Sequence, residues 1–536
     1  MEFAFACDAQ LRAHVSKDAM RDCATHYRGL QVAWAWFLTG AVALAAQARQ
    51  APDPSQSSKS LDELQRMVKT GRPEARAWAV RQAALRQDAE GDALVLRALQ
   101  DPHAQVGDEA LLAVAATTGG RVLAALEPLV RASDASVRAR VAEALGRSEH
   151  PVRQAWLGHL VRDRDPEVVR CALSALLRRV EAGRAPEDRS TWVSWACPAA
   201  EGRDPVLAAL GQRILHRLDP LQAQDIARRA LAARDPQLRA ASCSALQSAT
   251  QVVALELARP LLEDPEAAVR MAAIATLGTL RHRSALTAMA ERLEREAQPR
   301  LRHRLRVELA RTLGVDAEFD TAAWLSRARE WRGDLSTSGG QTDVRPHTQA
   351  HFSGLPLVSD RIAFLVDLSG SMWSAKVGAH TRKELVDRAL AAALESLPRG
   401  ATVQLVPYTG TPIPWESRAV RADAAKLRQA LDWFAKRHDN GPGDFLEAFE
   451  HVLADPEIDS VCVLTDGVPT GGERHDLGLI FDRLLDRNAP RQLAVDALLV
   501  DCPKGLTARW EAFCARTGGV VRRVRVEDLL PQAPTK

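Results

Sequence analysis

From about residue 60 to 315, apolar residues recur at intervals of three and four, whereas beyond residue 350 they gather into short runs bounded by turn residues. The first pattern predicts amphipathic helices, and the second predicts strands alternating with helices. Within the helical stretch, DPHAQVGDEALL (101–112), SDASVRARVAEAL (133–145), DPEVVRCALSAL (165–176), DPQLRAASCSAL (235–246) and DPEAAVRMAAIATL (264–277) recur about every 30 residues, with a weaker DPVLAALGQRIL at 204–215. In four of them an aspartate precedes a leucine by 11 residues: Asp101 and Leu112, Asp134 and Leu145, Asp165 and Leu176, Asp235 and Leu246. Aspartate accepts backbone N–H bonds at a helix N-cap, and proline at the first helical position forfeits no hydrogen bond. Val169, Ala172, Leu173 and Leu176 then form an apolar stripe. One such unit cannot bury its apolar side alone, so the units are expected to stack into an all-α solenoid over 60–315.

The span 316–354 reads as a linker, because GDLSTSGGQTDVRPHTQA (333–350) is rich in Gly, Ser and Thr and lacks periodicity. After it, strands are expected at 361–367, 402–409, 460–465, 492–500 and 519–524, with a short extra strand near 416–420. Helices are expected near 381–396, 422–437, 443–454, 474–487 and 505–517. Val461, Cys462, Val463 and Leu464 are apolar throughout, as in a parallel sheet covered on both faces, so this part is expected to be α/β, doubly wound and Rossmann-like. Ligands of such folds bind at the carboxyl ends of the strands, where strand order reverses. Asp367 closes the buried run IAFLVD (362–367) at such an end.

The repeats resemble the HEAT class, particularly its short variant named for phycobilisome lyases. The run DLSGS (367–371) resembles the D-x-S-x-S motif of von Willebrand factor A-type domains, and LTDG (464–467) their later aspartate; the likeness extends over about 355–534. The resemblance implies a metal-ion-dependent adhesion site, usually holding magnesium, with Asp367, Ser369 and Ser371 on the first loop and Asp466 on the third. The residue types agree, since magnesium is hard and octahedral, takes oxygen ligands and keeps several waters when one or two carboxylates are supplied. A bound water could then give way to an acidic side chain of a protein partner. Alternatively, Asp367 and Ser371 cap the following helix. The family's middle loop normally carries a threonine, but this chain reads NGPGDFLEAF (440–449), which aligns Gly443 with it and sets Asp444 alongside. Asp444 either replaces that ligand, directly or through water, or caps the next helix. A third carboxylate would favour calcium or manganese as well, and weaken recruitment of an acidic partner.

Charge narrows the partners. With 71 basic and 68 acidic residues the formal charge is +3, so no net field favours nucleic acid or anionic lipid. Arg138, Arg170, Arg239 and Arg270 take equivalent places in the repeats and either line one edge as a ladder or pair with neighbouring acids. The basic run PRLRHRLRVELAR (299–311) carries no interleaved aromatic residues and reads as a solvated final helix. Residues 1–48 read as a signal region: Val32–Ala46 is uncharged over 15 residues, follows Arg21 and Arg28, and precedes Ala46-Gln47-Ala48, with Met20 as an alternative start. Export to the periplasm or outside is therefore expected, with membrane anchoring if the segment stays uncleaved. Six cysteines remain beyond it, too few for a disulfide scaffold, although Cys502 and Cys514 could be bridged. No G-x-S-x-G surrounds Ser369 or Ser371, and no HExxH or CxxC pair occurs. The expectation is a non-enzymatic, adhesion-type protein that binds a protein partner through a divalent cation. The alternatives are a lyase-like enzyme seated on the solenoid, or a structural scaffold with a degenerate metal site.

Overall fold

The computed structural model describes residues 59–116, 121–333, 344–373, 376–377 and 380–529; the signal region read at 1–48 lies outside them. In the helical region one layer stacks α1 Pro73–Arg86, α2 Ala104–Ala116, α3 Ala135–Arg147, α4 Pro166–Glu181, α5 Pro205–Leu218, α6 Pro236–Ala245, α7 Ala267–Thr279 and α8 Pro299–Leu313, each against the next. Helices Leu61–Thr70, Ala89–Ala98, Ser190–Ala200, Pro220–Leu231 and Arg283–Arg295 pack against this layer. Four caps are those the repeat spelled out: the carboxylates of Asp134, Asp165, Asp204 and Asp235 each accept a first-turn amide, whereas the repeat at 264–277 begins its helix later, after Glu266, which makes no side-chain cap bond. Pro166, Pro205 and Pro236 follow three of them. Leu145, Leu176 and Leu246 are fully buried, and Leu112 is partly so. Among the described residues, no helix is long and apolar enough to cross a membrane.

The arginines stitch one repeat to the next. Arg76, Arg138, Arg239 and Arg270 each lie four residues after an N-cap. Each pairs with an acid 25 or 26 positions on: Asp101 at 2.9 Å, Asp163 at 2.7 Å, Asp264 at 2.8 Å and Glu296 at 2.9 Å. The same guanidinium groups donate to carbonyls five or six residues back, as Arg239 does to Ala233 at 2.9 Å and Arg234 at 3.1 Å. Arg170 departs from the set, because it lies five residues after its cap Asp165. One residue turns a side chain by about 100° around a helix. Arg170 consequently leaves the ladder and pairs with Glu167 at 2.8 Å and with Asp486 of the C-terminal region at 2.7 Å. Replacing Arg239 by methionine should lower stability by about 1 kcal/mol, because it removes the bidentate partner of the half-buried Asp264 carboxylate. Urea unfolding of Arg239→Met against the parent chain measures that loss.

The helical region runs further than the repeats announced. Helix Thr321–Glu330 falls within the span read as linker, and its Trp324 is fully buried against the last repeats. The basic run forms α8, but it is neither final nor merely solvated: Arg300, Arg306 and Glu308 are buried. Arg306 pairs with Asp316, and Arg300 donates to the carbonyl of Gln492 across the domain boundary.

The C-terminal sheet comprises β1 Arg361–Asp367, β2 Thr402–Tyr408, β3 Val420–Arg421, β4 Ser460–Thr465, β5 Ala494–Val500 and β6 Val521–Val524, in the order β6-β5-β4-β1-β2-β3. Every pairing is parallel except β2 with β3, which makes the sheet mixed. Helices α9 Arg382–Ser396, α10 Ala424–Ala435, α11 Phe445–Leu453, α12 Leu477–Asn488 and α13 Lys504–Thr517 cover it. Alternate residues of β1 feed two cores, Ile362, Phe364 and Val366 into one, Ala363 and Leu365 into the other. The chain goes from β1 out to β2 on one side and later to β4 on the other, so strand order reverses at β1. Cys502 and Cys514 are not bridged: both are free and buried, Cys514 in the core and Cys502 against Gly467.

Candidate metal centre

Asp367 is the last residue of β1, in register with Tyr408 of β2. Val366 pairs with Leu464, so the next residue of β4, Thr465, flanks Asp367 on the other side. The Asp367 carboxylate is 2% exposed. Its Oδ1 accepts the Ser369 amide at 2.8 Å, and its Oδ2 accepts the Thr465 hydroxyl at 2.7 Å. Its pKa is raised to about 6: burial is the largest cause, the bonds from Ser369 and Thr465 oppose it, and the nearby charge of Asp466 adds to it. Burial together with the charge of Asp367 also drives the Tyr408 phenol well above its ordinary value.

Asp466 follows β4 and is 8% exposed, with Oδ1 accepting the Val468 amide at 3.1 Å. Its loop is shaped by Gly467, at a φ of +85°, where a Cβ would lie 2.7 Å from the Cys502 sulfur and 3.1 Å from the Trp510 ring nitrogen. That approach lets Trp510 donate to the Gly467 carbonyl at 3.3 Å.

The middle loop is the stretch before α11. Ser369 forms a parallel bridge with Gly441, drawing this loop onto the first. A Cβ on Gly443 would sit 3.4 Å from Asp367 Oδ1 and 3.5 Å from the Thr470 hydroxyl oxygen. Gly443 donates its amide to that oxygen at 2.6 Å, and its carbonyl accepts the amides of Thr470 and Gly471, both at 3.2 Å. A hydroxyl from the third loop thus lies beside the place where the middle loop has no side chain.

The structure brings together Asp367, Ser369 and Asp466. Ser371 lies in the short helix Gly370–Trp373, and its side chain is outside the described residues. Asp444 is placed differently: it is the N-cap of α11, accepting the Glu447 amide at 3.1 Å, and its carboxylate lies against Gly472. Burial raises its pKa, as do the charges of Glu447 and Glu473. Among the described residues, no three His, Cys, Asp or Glu side chains converge as a metal cluster. The donor set is therefore two carboxylates with neutral hydroxyls. A buried carboxylate beside a second one, surrounded by oxygen donors, suits a hard divalent cation. Thr465, Thr470 and Tyr408 escaped the sequence reading. Thr465 stands inside LTDG, and VPTGG (468–472) places the second hydroxyl four residues after Asp466, so both were within sight of the motif.

Two family models match this chain, one for HEAT repeats over residues 224–310 and one for the von Willebrand factor type A domain over 360–503. No curated protein matches it. Among solved structures it is similar to a von Willebrand factor type A protein from Catenulispora acidiphila, at 19% identity over 33% of this chain and 42% of that one, with a TM-score of 0.26. It is also similar to the PilB minor pilin from Streptococcus sanguinis, at 12% identity over 31% of this chain and 58% of that one, with a TM-score of 0.23. A third is the complex of CpcE and CpcF of phycocyanin lyase from Nostoc sp., at 13% identity over 52% of this chain and 98% of that one, with a TM-score of 0.22.

Proposed function

We propose that this chain, in which HEAT repeats precede a von Willebrand factor type A domain, is a non-enzymatic protein-interaction scaffold that binds a partner through a divalent cation held at the rim of its sheet. The observation that carries the reading is the meeting of Asp367 and Asp466 at the strand ends β1 and β4, with Ser369 between loops that hydrogen bonds lock together. Asp367, Asp466 and Ser369 would hold the cation, with Ser371 and the Thr470 hydroxyl supplying further neutral oxygens. When bound, magnesium, or manganese or calcium in its place, supplies a Lewis-acidic position that an acidic side chain of the partner can occupy. Thr465 fixes one carboxylate oxygen and the Ser369 amide the other, so Asp367 presents its remaining lone pairs in one orientation. Export follows from the uncharged segment at 32–46 and would place this binding outside the cytoplasm.

Asp466→Ala removes one of the two carboxylates without disturbing the Asp367 hydrogen bonds. Calorimetric titration of manganese into this variant should show affinity at least about 10-fold below the parent chain; equal affinity would remove Asp466 from the site. A structural scaffold with a silent site is the second reading, favoured by the missing side chain at Gly443 and by the use of Asp444 as a helix cap. Capture of the partner that survives EDTA supports that second reading, and capture abolished by EDTA supports the first.

A further inference from the structure

The loop that starts at Asp466 does not end inside its own domain. Asp108, on α2 of the solenoid, is 2% exposed. Its Oδ1 accepts Arg474 at 3.0 Å, and its Oδ2 accepts the amides of His475 at 2.6 Å and Asp476 at 3.0 Å. Arg474 also pairs with Glu143 of α3 at 3.3 Å and is itself buried. The hold continues along α12, where Asp482 meets Arg147 and Arg178 at 2.6 and 2.7 Å, and Arg487 meets Glu167 at 3.1 Å. Leu479 packs into the solenoid core, and Ala489 lies against Ala209, Ala241 and Ala245.

On the other side the same loop is tied to the candidate metal centre, through the Thr470 and Gly471 amides on the Gly443 carbonyl. Two residues, Gly472 and Glu473, separate that tie from Arg474. A segment so short, fixed at both ends, cannot shift at one end without straining the other. We infer that Asp108 is a positioning residue of the cation site: the solenoid sets the loop that carries Asp466 and Thr470, so cation binding and solenoid docking are energetically linked. This rests on the cation-binding reading above. Linkage is reciprocal, so a bound cation must tighten the contact as much as the contact tightens the cation.

The test uses the full chain with manganese as the probe. Asp108→Asn keeps the side chain's size but removes the charge facing Arg474, and should weaken manganese binding about 10-fold, the scale of an outer-shell partner. Arg239→Met, which weakens the solenoid away from this contact, should bind manganese as the parent does. Manganese should also slow hydrogen exchange of the His475 and Asp476 amides in the parent and leave it unchanged in Asp367→Ala. Should Asp108→Asn fail to fold, Glu143→Gln, which removes the second anion on Arg474, carries the same comparison. Unaltered affinity in the variant, an equal loss in Arg239→Met, or exchange at residues 475 and 476 insensitive to manganese would overturn the inference while leaving the cation site standing. A parent chain that binds no manganese would instead remove the cation reading, and the linkage with it.

Discussion

Trp510→Ala is expected to cost the C-terminal domain about 3–5 kcal/mol, the range for truncating a fully buried large aromatic side chain. Trp510 is 1% exposed, and its ring lies 5.1 Å from Phe445 and 4.9 Å from Phe481, centroid to centroid. Phe481 in turn stacks on Phe513 at 4.1 Å. Truncation opens the middle of this aromatic cluster and also frees the Gly467 carbonyl, which the indole N–H holds. Cation affinity should therefore fall along with stability. Trp510→Phe is the milder change: it keeps an aromatic ring in the cluster but loses the N–H and part of the indole's volume, and should cost about 1–3 kcal/mol, less than Trp510→Ala, while still loosening the loop of Asp466. Urea unfolding followed by circular dichroism gives the first quantity and calorimetric titration with manganese the second. A Trp510→Ala domain as stable as the parent would contradict the packing described here.

Asp367→Ala is expected to abolish cation binding, with affinity for magnesium and manganese reduced at least about 100-fold, the upper end of what a supporting residue alone would cost. The same substitution should not lower the stability of the cation-free chain. A carboxylate that burial and a like-charged neighbour disfavour is a local cost to the fold until a cation offsets it. Removing it relieves that cost, while the Thr465 hydroxyl and Ser369 amide lose an acceptor. The pairing of lost binding with preserved stability is the signature of a residue kept for a ligand. A variant that binds as before, or that unfolds, would mark Asp367 as a structural aspartate.

Much of the architecture was legible because its determinants are local. An aspartate before a proline and an apolar stripe specifies the start of a helix whatever lies around it, and Asp165, Asp204 and Asp235 cap where the repeat placed them. The buried runs ending at Asp367 and Thr465 likewise announced β1 and β4. What stayed hidden depends on rotation or on distance along the chain. A shift of one position around α4 took Arg170 out of the ladder; the spacing from Asp165 carries that shift, five residues against four in Arg138 and Arg239, but its partner Asp486 lies 316 residues away and has no local mark. Helix Thr321–Glu330 was passed over because its repeat signature is absent, although its buried Trp324 ties it to the solenoid. Asp108 has no local mark at all, since its three partners lie more than 360 residues away. Within the site, Asp444 was open in the sequence as ligand or as cap of the next helix, and the structure shows the cap, with its carboxylate against Gly472; local sequence alone does not choose between the two.

Manganese-soaked crystals of the full chain, measured at an anomalous wavelength, address the central claim most directly. The account predicts one anomalous peak among Asp367, Ser369 and Asp466, within about 2.0–2.6 Å of their oxygens, the range hard divalent ions keep with oxygen ligands. No peak there, or a peak at Asp444 with none at Asp367, would contradict it.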